Sequence, residues 1–311
     1  MTNEELMEQI NKAVTGTSTG GLLSAQQTAE FLDLVVDQTP VLSEMRVETG
    51  IAKSLDVDAI EFGEPIIIAG VEGTAPDDAD VVAPSMPRLT LTPTEITANV
   101  DISYSWLRQN ILKDKGEDAI NAAIAKRVGM DLLNLMFNGD TSLAATTRTN
   151  KALRIRDGII KRALADASVI DHVIAASPSW GGSGGELSEG LSLLPKQYRD
   201  DRSALFHLLS VTNLDQFEDE IADRQTSAAD NVLFGTQAVS MHKRVKIVSP
   251  FGFSDNNLIT TPKRNIVAGF GREMQFYKFQ NHRKRVLEIT LVVDLDFGYV
   301  VPGALVLGSK A

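Results

Sequence analysis

The sequence predicts an α+β fold, and three observations lead there. Ile96, Ala98, Val100 and Ile102 alternate with polar residues in EITANVDIS, the period of a half-buried strand. That strand runs on toward one long helical stretch, EDAINAAIAKRVGMDLLNLMFNGD. The last 50 residues or so then return to strand character, with none of the regular strand–helix alternation that a parallel α/β sheet needs.

Composition sets wide limits. A chain of 311 residues can bury roughly three-quarters of its unfolded surface and suggests one or two domains. It is 43% hydrophobic and 23% charged, ordinary for a globular protein. No run of about 18 apolar residues is present, so no membrane span is expected. The start, MTNEELMEQI, is acidic and has no apolar core, unlike a signal peptide. Cysteine is absent, which excludes disulfides and thiolate metal sites and fits a cytoplasmic setting. The net charge of -11 opposes tight nucleic-acid binding and suits a surface that repels polyanions.

Residues 2–13 read as a short amphipathic helix with Leu6, Ile10 and Ala13 on one face. A flexible linker, TGTSTGG, follows. Ser24 and Gln27 make a capping-box pattern for a second helix, which presents Phe31, Leu32, Val35 and Val36 and stops before Pro40. Two short helices cannot enclose a core, so residues 1–46 read as an arm.

Between residues 48 and 88 acidic residues outnumber basic ones by nine to two. Strand-like pieces flank a polar tip, GTAPDDADVVAPSMP. A hairpin with arms of ten or more residues would project roughly 30 Å, at about 3.3 Å per residue. A lone two-stranded hairpin is marginal in water. It rests either on a neighbouring subunit or in a sheet of its own chain, and the pattern leaves both open.

The long helix spans about residues 117–137, with Ile120, Ala123, Ile124, Val128, Leu132, Leu135 and Met136 near a 3.6-residue period. It is about 30 Å long at 1.5 Å per residue. Glu117 and Asp118 suit its first turn, and Asn138-Gly139, tolerant of the left-handed conformation, suits its end. No chemistry lies near it; it reads as a beam. Residues 151–260 form a separate mixed unit: DGIIKRALADA and TNLDQFEDEIADRQ as helices, SALFHLLSV and VKIVSP as strands, residues 181–185 as a flexible loop. Residues 262–311 predict a second long hairpin that turns at QNHRKR. No internal repeat is visible.

Candidate chemistry is thin. Gly181, Ser183 and Gly185 match the G-x-S-x-G nucleophile elbow, with Asp255 and His282 as available partners. The elbow needs a strained turn on a parallel sheet, and that sheet is not predicted, so the glycines read as a loop. His172, His207, His242 and His282 are scattered without metal-ligand spacing. No phosphate loop or dinucleotide fingerprint is present, and no cofactor is implied. Arg154, Arg156, Lys161 and Arg162, and Arg283, Lys284 and Arg285, are read either as solvated faces or as partners for the acidic hairpin of another copy.

The order of elements resembles the major capsid proteins of tailed bacteriophages, a fold shared with encapsulin shells. The resemblance rests on LTPTEITANVDISYSWLRQNI before a long helix ending LMFNGD, then LLPKQYRDDRSALFHLLSV, KRNIVAGFGREMQFYKF and VLEITLVVDLDFGYVV. It implies a Hong Kong 97-type phage capsid fold. Residues 1–46 would be the N-terminal arm, 47–92 the extended loop, and 93–150 the peripheral domain with its spine helix. Residues 151–260 would be the axial domain, and 261–311 the returning strands of the peripheral domain and the end of the axial domain.

The implied function is structural: copies assemble as pentamers and hexamers into the icosahedral head of a double-stranded DNA phage. DNA is enclosed without sequence-specific contacts, no membrane is involved, and assembly takes place in the host cytoplasm. Separate scaffolding and portal proteins are expected, with decoration proteins a further candidate. Asp77, Asp78 and Asp80 are the expected inter-subunit contacts on the acidic side, and Arg283, Lys284 and Arg285 on the basic side. An encapsulin-type shell around a protein cargo is the alternative, and a serine hydrolase using Ser183 a third reading.

Overall fold

A computed structural model of the chain describes residues 21–22, 40–69, 81–105, 116–182, 184–223, 241–271 and 275–310. The two predicted arm helices, the acids Asp77, Asp78 and Asp80, and Ser183 lie outside these residues. The described elements, in chain order, begin with strand β1 (Gly21–Leu22), helix α1 (Pro40–Ser43) and strands β2 (Arg46–Ile51), β3 (Leu55–Asp58), β4 (Arg88–Leu91) and β5 (Thr94–Ser103). Helices α2 (Gly116–Asn138), α3 (Arg148–Leu153) and α4 (Ile159–Ala165) come next, then β6 (Ile170–Ile174). Helix α5 (Glu186–Leu193), helix α6 (Lys196–Arg199), β7 (Leu205–Leu208) and helix α7 (Val211–Ala222) follow. Strands β8 (Met241–His242), β9 (Val245–Val248), β10 (Asn257–Pro262), β11 (Ile266–Gly271), β12 (Gln275–Asn281), β13 (Val286–Tyr299) and β14 (Val306–Lys310) complete the chain.

Strand β13 organises the first sheet. Strand β5 runs antiparallel along one of its edges, from Val286 opposite Ser103 to Leu295 opposite Thr94. Its other edge holds β12 and then β11, with β1 and β2 outside them. The two-residue period puts Leu287, Ile289, Leu291, Val293 and Leu295 on one buried face. Their cross-strand partners Ile102, Val100, Ala98 and Ile96 share that face. The alternating strand expected beside the hairpin is therefore a member of an internal sheet. The hairpin proper is shorter than predicted: β3 pairs β4 over four residues a side, and one further bridge joins Glu61 to Ser85.

Helix α2 lies across the buried face of that sheet. Ile124, Ala125, Leu132, Leu133, Leu135, Met136 and Phe137 are buried there, whereas Ala123, expected on the same stripe, is exposed. The last turn is buried almost all round because a second sheet closes over it with Phe206, Leu208, Ile259 and Leu307. That second sheet has the order β6-β14-β10-β7-β9-β8, with parallel pairs β14–β6 and β7–β9. Helices α5 and α7 cover its far face over Trp180, Leu187, Leu209, Phe217, Ile247 and Leu258. Helix α7 starts where Ser210 Oγ accepts the Asn213 N–H at 3.1 Å.

The end of α2 corrects one expectation. Neither Asn138 nor Gly139 takes a left-handed conformation. Glycine is needed here for close approach: a Cβ on Gly139 would lie 2.2 Å from the Arg156 carbonyl oxygen, and one on Gly158 would lie 2.5 Å from that of Phe137. The two segments are tied by the Gly158 N–H donating to the Gly139 carbonyl at 2.7 Å.

Asp296, wholly buried in β13, joins three parts of the chain. Its Oδ2 accepts from Thr92 N at 2.6 Å and Arg156 Nη2 at 2.7 Å. Its Oδ1 accepts from Phe297 N at 2.6 Å and lies 3.6 Å from Arg162 Nη2. Arg156 Nη1 also donates to the Thr92 carbonyl at 2.9 Å, and Arg162 Nη1 to that of Phe297 at 2.6 Å. Breaking such a buried pair from one side leaves uncompensated charge. We expect Asp296→Asn to lower folding stability by about 3–5 kcal/mol in urea titration; an unchanged midpoint would show the clamp to be energetically idle.

A second prediction concerns pH. His207 sits fully buried in β7, its Nδ1 at 2.8 Å from Thr260 Oγ1 and its ring beside that of His242. Burial, and then the neighbouring His242, push its pKa from 6.5 down to about 3. The unfolded chain takes up this proton first, so stability present above pH 6.5 is lost progressively as the pH falls toward 3. Glu44 is held below its ordinary 4.5 by Lys246 and Lys263, so its similar loss begins only in that lower range. His207→Gln should flatten the stability profile between pH 6.5 and 4.5; a profile that keeps its slope would assign that slope to another group.

Candidate assembly surfaces

The stem of the hairpin is built into its own chain. Val57 and Leu91 are buried, and they pack with Leu55 and Leu89 against Ile51, Val267 and Val300. Arg88 Nε donates to Asp58 at 2.7 Å and its Nη1 to Asp56 at 3.4 Å. Farther out, the Tyr198 hydroxyl donates to Glu61, and burial together with that carboxylate pushes the Tyr198 pKa up to about 12.

Past that contact the described part of the ribbon is largely exposed. Seven of the fourteen exposed large hydrophobic side chains among the described residues fall between Ile60 and Met86, among them Ile67 at 93% exposure. Scattered exposed apolar residues are ordinary, but a concentration on one projecting element marks an interaction surface. The same stretch is anionic: residues 54–87 hold eight carboxylates and no lysine or arginine.

The turn between β12 and β13 is the basic counterpart. Lys284 is used within it, bonded to Glu288 at 3.0 Å, and Glu288 raises the lysine pKa while its own falls. Asn281 holds the turn by donating to Glu288 at 3.1 Å and accepting the Lys284 N–H at 3.0 Å. Arg285 has a left-handed backbone (φ 55°), and its carbonyl accepts the Tyr104 N–H at 3.0 Å. Arg283 and Arg285 are exposed and make no ion pair with a described residue. Their expected acidic partners lie outside the described residues, so the candidate contacts are not brought together within the described chain.

Three of the other basic residues make ion pairs within their own chain, Lys161 at the surface and Arg156 and Arg162 half-buried. Arg156 and Arg162 hold Asp296, and Lys161 binds Asp140 at 2.5 Å and Asp157 at 2.8 Å. Lys161, with help from Ser142, holds the Asp140 pKa at about 2.

The N-terminal flank of the glycine-rich loop is held by one carboxylate. Glu220 accepts from Trp180 N at 2.8 Å, Gly181 N at 2.7 Å and Ser179 Oγ at 3.1 Å. Sequence spacing also missed one convergence: ligand atoms of His172, Glu186 and Glu189 lie within 4.8 Å of one another. Glu186 already bonds His172 Nε2 at 2.7 Å and the Ala175 N–H at 3.0 Å, which satisfies the buried pair without a cation. Among the described residues no helix is long and apolar enough to cross a membrane.

No family model matches the chain. In sequence it is 27% identical over 312 aligned positions to "Putative prophage capsid protein YqbE" of Bacillus subtilis (strain 168), covering 95% of this chain and 94% of that protein. In structure it is similar to a chain of the satellite phage P4 procapsid that includes the size determination (Sid) protein, with TM-score 0.62 and 13% identity over 91% of this chain and 98% of that one. It is also similar to the capsid of an empty GTA particle, with TM-score 0.59 and 12% identity over 88% and 90% of the two chains.

Proposed function

We propose that this chain, which has the Hong Kong 97-type phage capsid fold, is the structural major capsid protein of a tailed double-stranded DNA phage. Many copies close into an icosahedral head as pentamers and hexamers. The observation that carries this reading is the hairpin: a well-rooted stem whose described continuation, residues 60–69 and 81–86, leaves seven large apolar side chains open to water. Burying an isoleucine-sized side chain is worth about 1.5–3 kcal/mol, so the ribbon gains by lying on another copy. The full-length likeness to a prophage capsid protein supports the same conclusion and does not favour the encapsulin alternative. Its relatives are structural proteins, which argues against a catalytic role for Ser183.

In this reading residues 47–92 are the extended loop and α2 is the spine helix that stiffens the peripheral domain. Scaffolding and portal proteins, and any decoration proteins, are separate chains, and assembly takes place in the host cytoplasm. The net charge of -11 keeps packaged DNA from adhering to the shell.

Purified protein should form hollow shells of tens of nanometres in negative-stain electron microscopy. A monomer that persists at high concentration overturns the proposal. The double variant Arg283→Glu and Arg285→Glu should impair particle formation while circular dichroism stays unchanged. Normal particles from it would remove the β12–β13 turn from the contacts and leave the shell reading standing.

A further inference from the structure

Two carboxylates and an imidazole meet at one end of the second sheet. Strand β6 is the outermost strand there, and its alternation turns His172 and Ile174 inward while Asp171 and Val173 face water. Glu186 and Glu189 stand three positions apart in the first turn of α5, which makes them neighbours on the helix surface. The helix lies close on the sheet at Gly190, where a Cβ would stand 3.3 Å from the side chains of Leu258 and Thr260. That packing sets Glu186 against the strand: its Oε2 lies 2.7 Å from His172 Nε2. Ligand atoms of all three side chains fall within 4.8 Å of one another.

Hydrogen bonding at the buried pair is satisfied, but charge is not. Glu186 is 6% exposed, and a carboxylate at that depth is ordinarily paired with a cation or bound to a metal. Among the described residues no lysine or arginine forms an ion pair with Glu186 or Glu189. Lys243, which reaches the same helix, donates to Ser188 Oγ instead. The N-terminus of a helix contributes about half a positive charge, against two carboxylates here. His172 is positive only when protonated. The cluster therefore has no permanent cation among its described neighbours.

We infer that His172, Glu186 and Glu189 bind one divalent transition-metal cation, with zinc the best match. An imidazole beside carboxylates suits zinc, whereas calcium and magnesium take all-oxygen sets. Zinc bonds of about 2.0–2.2 Å place tetrahedral ligand atoms about 3.4 Å apart. That spacing lies between the 2.7 Å of the present pair and the 4.8 Å span of the cluster, so side-chain rotation alone reaches it. The Ala175 N–H donates to Glu186 Oε1 at 3.0 Å and orients the buried carboxylate from outside the ligand set. Glu189 is exposed, which gives the ion an entry path and a water for its fourth position. On binding, the ion takes the place of the proton between His172 and Glu186, which leaves to solvent. The bound cation clamps the outermost strand of the sheet to α5. This inference stands apart from the shell reading.

Zinc chloride titrated into chelator-treated full-length protein tests the inference by calorimetry. One zinc should bind per chain and raise the unfolding temperature. Glu189→Gln is the decisive variant, because the side chain is exposed and the metal-free fold does not depend on it. It should weaken zinc binding at least about tenfold while the metal-free unfolding temperature stays at the wild-type value. Cobalt(II) should give the visible absorption of a mixed nitrogen–oxygen site in the wild type and lose it in Glu189→Gln. His282→Ala, which removes an exposed histidine from the first sheet, should leave zinc uptake unchanged. The inference is overturned by the absence of saturable zinc uptake, by wild-type affinity in Glu189→Gln, or by loss of uptake in His282→Ala, which would put the metal on the β12–β13 turn.

Discussion

A carboxylate with no access to water anchors this molecule. Asp296 sits toward the C-terminal end of the longest strand and accepts two N–H groups and one guanidinium at hydrogen-bond distance, with a second guanidinium beside it. The Thr92 N–H and carbonyl, where the hairpin returns to the body, both belong to this cluster. A ribbon can project into solvent only if its root is rigid. Ion pairing in a low-dielectric setting supplies that rigidity at a point where apolar packing alone would let the strands slide.

The same economy explains the long helix. Its C-terminal half packs into a core cluster that draws on both sheets, so one element joins them. That arrangement needs the chain after the helix to return at once along its end. Gly139 and Gly158 meet backbone to backbone there, closer than any side chain would allow. Lys161, Asp140 and Asp157 then close the junction electrostatically on the surface.

Charge is segregated along the chain and then sorted by the fold. The ribbon is anionic throughout its distal part, while two turns on different sheets present cations on left-handed backbones: Arg285 in one, Lys243 and Arg244 in the other. Of these turns only the one at residues 282–285 is legible from sequence, as a basic run between two clear strands. The other escapes notice because Lys-Arg is not a hairpin pair, and VKIVSP alone reads as an isolated strand. A register of strand, two residues and strand across residues 241–248 was the available signal.

Local sterics and periodicity are properties of neighbouring residues, and these the sequence determined by itself. The alternation of β5 and β13 and the length of α2 both survive in the structure. Tertiary structure alone decided where long-range partners meet. It placed β5 beside β13, and it set Arg156 against a carboxylate 140 positions away. A list of charges cannot separate a solvated cation from a buried one, because burial depends on which distant segments share the same space.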